Sequence, residues 1–205
     1  MPLSIYAKDK FVAPELSKLT ECNAIDMTGY NTECQHWVAN FVLNSMLRVN
    51  VEEPYRAYIF MFLRRAEMSF HEHENGRRSL QNYIYYISQG KDAIDLFLRA
   101  VYHFENFMAQ SYQAFQIMRK MTRKDFFAKG DGSELERLSL LHGRSKHADS
   151  AINSEQLPTD ATMPVWLSNR GLCAEGVEIS YKEMAEILKE LSKIADKLSN
   201  PEPSA

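Results

Sequence analysis

Residues 92–122 constrain the fold more than any other part of this chain. Ile94, Phe97, Val101, Phe104, Met108, Tyr112, Phe115 and Met118 recur at three and four residues with no Gly or Pro between them. Such a stripe is one face of an uninterrupted α-helix, about eight turns and roughly 45 Å long. A rod of that length exceeds what a compact chain of 205 residues covers on one side, so part of it is expected to face a second subunit. The aromatic stripe itself reads as core packing, not as a cofactor pocket or a base-stacking platform.

Shorter periodic segments surround it. Trp37, Phe41, Val42 and Met46 predict a helix over 33–49, with Asn31 or Thr32 as its cap. Residues 55–74 predict a second helix that starts after Pro54 and stops near Gly76, and 77–89 a third that ends at Gly90. Ser133 and Glu136 have the spacing of a capping box, opening a helix that turns Leu135, Leu138 and Leu141 inward, loosens at Gly143 and runs to about residue 150. Residues 151–168 read as a loop. Residues 165–167 and 177–179 are expected to pair as a small β-hairpin, joined by 168–176. A second capping box at Ser180 and Glu183 starts the last helix, which carries Met184, Ile187, Leu188, Leu191, Ile194 and Leu198. The first thirty residues show no sustained period and stay unassigned. The expected fold is all-α, an up-and-down helical bundle with a long central helix and a small hairpin before the C-terminal helix. Residues 1–54 form an N-terminal extension and helix packed on the core, 55–199 the helical domain, and 200–205 a disordered tail.

Composition excludes several classes of function. The formal charge is −3, with 24 Lys and Arg against 27 Asp and Glu, which argues against attachment to nucleic acid through a globally basic surface. Three cysteines without a CxxC pair, Cys22, Cys34 and Cys173, indicate neither a disulfide framework nor a zinc knuckle and suit a reducing cytosol. No export signal is expected at the N-terminus. The longest apolar run, 57–63, is far short of the roughly 20 residues a membrane helix needs, so no membrane partner is expected.

Candidate chemistry concentrates in residues 137–147, which hold Arg137, His142, Arg144, Lys146 and His147. On a continuous helix Arg137, Leu140, Arg144 and His147 fall within about 80° of one another. Two guanidiniums and an imidazole on one face suit a phosphate, because arginine binds its oxygens bidentately and histidine moves a proton near neutral pH. RNA cleavage would use both properties without a metal. The alternative is that Arg137 pairs with Glu134 or Glu136 while Arg144, Lys146 and His147 solvate a helix end and complement its dipole. His142, at the edge of the leucine stripe, then reads as a half-buried imidazole with its bonding satisfied.

The long helix with an in-line acid, Glu105 in the run 100–105, followed by a shorter helix ending in Leu141, His142, Gly143, Arg144, Ser145, Lys146, His147, Ala148 and Asp149, resembles the HEPN superfamily of prokaryotic all-α domains. The stretch 164–172 and the run 179–183 are also similar to the tail of some HEPN members, so the likeness spans roughly 55–198. It implies a dimer, and in many members a metal-independent ribonuclease of toxin–antitoxin or other defence systems. The family pattern is an arginine, a polar residue, four to six further residues and a histidine. Arg137 to His142 has the spacing but places Leu138 where a polar residue is expected; Arg144 is followed by the polar Ser145, but only two residues separate it from His147. By position the resemblance implies Arg144 as phosphate contact, His147 as proton-transfer group and Glu105 as an orienting carboxylate. The expectation is an RNA-directed cytoplasmic homodimer, a candidate metal-independent endoribonuclease with no cofactor. The alternatives are a noncatalytic module that binds a protein partner and a nucleotide-binding dimer.

Two further groups invite chemistry. His71, Glu72, His73 and Glu74, with Glu67 one turn earlier, offer metal-ligand atom types, but two of the four point away on a helix and an exposed charged helix end before Gly76 is the better reading. Arg64, Arg65, Arg77 and Arg78 either add basic surface or pair with Glu67, Glu72 and Glu74. Tyr83, Tyr85 and Tyr86 are candidates for an interface.

Overall fold

The computed structural model describes residues 4–30, 36–47, 51–149 and 162–200. Helix α1 spans Ile5–Phe11 and is followed by a 3-10 turn at Leu16–Lys18; α2 spans Trp37–Leu47, α3 Tyr55–Ser88, α4 Ile94–Thr122, α5 Glu134–Lys146 and α6 Tyr181–Ser199. Three short strands, β1 at Trp166–Leu167, β2 at Gly171–Ala174 and β3 at Val177–Ser180, form an antiparallel sheet in that order. The chain is thus mostly helical with one small sheet. Among the described residues no helix is long and apolar enough to cross a membrane.

The centre is an antiparallel pair, α3 of 34 residues against α4 of 29, turning back through Gly90 at φ +70°. The stripe predicted for the central helix is its buried face: Phe97, Val101, Phe104, Met108 and Phe115 are almost wholly excluded from solvent and meet Phe62, Leu63, Ala66, Phe70 and Leu80 of α3. Helix α3 differs from expectation, since it runs straight through Gly76 where the sequence suggests a stop. A glycine inside a helix costs about 1 kcal/mol relative to alanine. Here it admits the neighbouring helix, for a Cβ at Gly76 would lie 3.0 Å from the Phe104 ring.

The sheet also corrects the sequence reading. Residues 165–167 and 177–179 do not pair with each other; the segment expected to connect them supplies the middle strand, with Trp166 opposite Cys173 and Leu172 opposite Ile179. Gly171 permits this, because a Cβ there would stand 2.0 Å from the Ile179 carbonyl oxygen. Gly176, at φ +72°, makes the turn into β3.

Both capping serines act as expected, with one difference. Ser180 and Glu183 form a complete box at the start of α6. At α5 the Ser133 hydroxyl accepts from the Glu136 amide at 3.1 Å, but the Glu136 carboxylate turns outward to the amides of Gly130 and Gly132. The Ser133 amide donates instead to Asp131, at 2.8 Å.

Residues 4–30, within the unassigned first thirty, act as a strap. Ala13, Leu16, Leu19 and Met27 are buried, and Asp9 holds the 3-10 turn by accepting from the amide and hydroxyl of Ser17 at 2.7 and 2.6 Å. Asn169, between β1 and β2, pins the strap to the sheet: its side-chain oxygen accepts from the amides of Thr20 and Glu21 at 3.0 and 3.1 Å, and its amide donates to the Lys18 carbonyl at 3.0 Å. Trp37 of α2 is buried against Phe70 and donates its indole N–H to Asp196 of α6 at 2.6 Å. The caps proposed at Asn31 and Thr32, most of the expected loop 151–168 and the tail beyond Asn200 lie outside the described residues.

Candidate functional site

Helix α5 positions the candidate residues. Its inner face, Leu138 and Leu141, is buried, and it ends where the His147 amide donates to the Gly143 carbonyl at 3.0 Å. Arg144, Ser145 and Lys146 therefore occupy the last turn and His147 the C-cap. The carboxylate facing this turn is Glu105 of α4, which accepts from the Ser145 hydroxyl at 2.8 Å. Burial pushes the Glu105 carboxyl above the usual carboxylate range, and the Ser145 hydroxyl offsets only part of that. Glu105 thus belongs to the same corner as Arg144 and His147, with Ser145 as the residue it holds. Ser145 escaped the sequence reading as a contact; its signal there is its place as the polar neighbour of Arg144.

His142 stacks on Tyr112 of α4, with ring centroids 4.5 Å apart and planes tilted by 32°. Burial, and after it the charges of Lys146 and His147, hold its imidazole below the ordinary histidine range. A neutral, aromatic-backed imidazole thus adjoins a cationic helix end. Tyr112 also stacks on Phe127 at 4.8 Å and accepts from the Gln116 amide at 2.8 Å. His147 is exposed and Arg144 half-buried.

Arg137 sits apart. Ten residues of helix carry it about 15 Å along the axis from His147. Its guanidinium donates to the Glu183 carboxylate of α6 and to the Gly132 carbonyl, so it joins the start of α5 to the start of α6. The acid it meets is neither Glu134 nor Glu136. Burial raises the Glu183 carboxyl, but the Ser180 amide and hydroxyl and then Arg137 outweigh it and hold the group below the usual carboxylate range. Four of the five candidate residues therefore lie at the α4/α5 corner, and Arg137 serves the α5/α6 junction.

The expected exposed, charged helix end at residues 71–74 is buried except at His71, because α3 continues past it. Glu72, His73 and Glu74 are 9%, 0% and 5% exposed. Their side chains diverge: Glu72 meets His103 Nδ1 at 2.7 Å, Glu74 binds Arg77 and Arg78 at 2.9 and 2.8 Å, and His73 enters the core. Glu67 accepts from the Val38 amide at 2.9 Å. Among the described residues no three histidine, cysteine or acidic side chains converge as a metal site. Cys22 and Cys173 are free thiols, and burial pushes Cys173 up to about 11.

Elsewhere, α2 and the start of α3 enclose an open groove of about 530 Å³ lined by Phe41, Val42, Met46, Ala57, Phe60 and Met61. Tyr85 and Tyr86 are exposed while Tyr83 is buried. No protein-family model, curated protein or solved structure matches this chain.

Proposed function

We propose that the chain is an RNA-directed, HEPN-like protein whose reactive corner is the end of α5 against α4, acting as a metal-independent endoribonuclease. The observation that carries this reading is the Ser145 to Glu105 hydrogen bond, which ties the residue between the cationic Arg144 and the Lys146–His147 end to the central helix. Arg144 is assigned to the phosphate, His147 to proton transfer and the neutral His142 to accepting a proton. Glu105 is a positioning residue that acts through Ser145. The reading includes a homodimer that brings two such corners together in the cytoplasm of a prokaryote, in a defence or toxin–antitoxin role.

Incubating the purified protein with structured RNA in EDTA tests it. Cleavage is expected from the wild type and is lost in His147→Ala and Arg144→Ala variants that retain the wild-type melting temperature. Cleavage by His147→Ala at the wild-type rate removes this corner as the site.

A noncatalytic partner-binding module is the second reading, favoured by the apolar groove between α2 and α3, where Met46 is 78% exposed. No RNA binding at low salt, together with stable capture of a protein encoded beside it, would select this reading.

A further inference from the structure

The side of α4 turned away from α5 carries a second constellation. His103 and Glu105 are two positions apart, about 200° of helix rotation, so His103 faces away from the α5 corner. There His103 Nδ1 meets the Glu72 carboxylate of α3 at 2.7 Å, with His103 side-chain exposure of 24% and Glu72 of 12%. His103 Nε2 has no hydrogen-bond partner among the described residues. One turn earlier on the same face is Arg99, exposed and without a partner among the described residues. The neighbouring Tyr102 ring, 60% exposed, stands 5.4 Å from the imidazole.

The Glu72 carboxylate takes His103 Nδ1, which fixes the orientation of the ring and leaves Nε2 as the atom that can meet an outside group. An anion can be held at Nε2 while Nδ1 stays on Glu72, since each ring nitrogen carries one hydrogen bond. Arg99 adds a second donor of the geometry that phosphate oxygens accept, and Tyr102 offers a flat apolar surface for a base. We infer that Glu72, His103, Arg99 and Tyr102 form a binding site for the phosphate and base of a nucleotide, separate from the α5 corner. Glu72 orients the imidazole, His103 and Arg99 hold phosphate oxygens, and Tyr102 stacks on the base. The inference does not depend on ribonuclease activity, since it shares no residue with that corner.

Calorimetric titration with AMP and with a short oligoadenylate lacking a terminal phosphate tests it on the full-length protein. Saturable AMP binding is expected, weakened about tenfold or more by His103→Gln and by Arg99→Gln. Tyr102→Ser should weaken AMP while leaving inorganic phosphate unchanged. Oligoadenylate bound through the same residues identifies an RNA chain as the source of the phosphate, and its failure to bind identifies a free nucleotide. Arg99 and Tyr102 are exposed, so their variants separate lost binding from lost folding. His147→Ala should bind AMP as the wild type does. No saturable AMP binding in the millimolar range, or affinity unchanged in both Arg99→Gln and His103→Gln, overturns the inference whatever the outcome of the cleavage assay.

Discussion

His73 makes stability depend on pH in a way that one substitution isolates. The ring is fully buried, edge-on to Phe104 at 5.7 Å and to Phe107 at 5.6 Å, and neither ring nitrogen has a hydrogen-bond partner among the described residues. Burial lowers its pKa from 6.5 to about 4, while the charges of Glu74, Arg77 and Asp26 act in opposing directions and do not restore it. Above pH 6.5 the imidazole is neutral in both folded and unfolded chains and contributes no pH dependence. Below that value the unfolded chain takes the proton first, so stability falls with falling pH until the folded ring also titrates, near 4. The full difference corresponds to about 3 kcal/mol, of which about 2 is lost by roughly pH 5. His73→Leu keeps an apolar side chain of similar size and removes both unpartnered nitrogens. At about pH 7.5 it should match the wild type or exceed it by about 1 kcal/mol, and at about pH 5 the gap should widen by about 2 kcal/mol. Urea unfolding followed by tryptophan fluorescence measures both values, and titrating groups that do not interact with His73 cancel in the comparison. An equal gap at the two pH values would refute the reasoning, since it would mean that the ring takes up its proton as readily folded as unfolded.

Two glycines should respond in opposite ways to the same substitution. Gly171→Ala forces a methyl against the Ile179 carbonyl and should cost about 3 kcal/mol or more, whereas Gly143→Ala, in a helix with nothing within 4 Å of the new Cβ, should stabilise by about 0.5–1 kcal/mol; paired thermal melts compare them. Arg137→Ala breaks the link between α5 and α6 and should lower stability by about 1 kcal/mol while leaving RNA turnover unchanged, and a double-mutant cycle with Glu183→Gln should locate most of that loss in the pair.

Long amphipathic elements were legible in the sequence because a buried face repeats over many turns. The α4 stripe and the α6 leucines reappear as core, and the serine caps locate the starts of α5 and α6. What escaped depends on contacts between distant segments. Gly76 reads as a helix stop because its use, close approach by Phe104, is invisible along the chain. Residues 171–174 carry too short a signal to reveal a central strand, which exists because β1 and β3 flank it. At the candidate site, the helix face shared by Arg137 and Arg144 was readable, but the acid that claims Arg137 comes from α6. Glu105 was readable as an in-line carboxylate, whereas its partner Ser145 required the packing of α5 on α4. The Glu72 and His103 pair joins residues 31 apart on antiparallel helices, a register that periodicity does not encode.

The Asn169 side chain imposes an order of events on synthesis. It bonds to the Thr20 backbone across 149 residues, so the strap leaves the ribosome long before its anchor exists. At translation rates of about 5–20 residues per second that delay is roughly 7–30 seconds. For that interval Leu16 and Leu19, both buried in the folded protein, lack part of the core that covers them, and the nascent N-terminal segment presents apolar surface that a chaperone can shield.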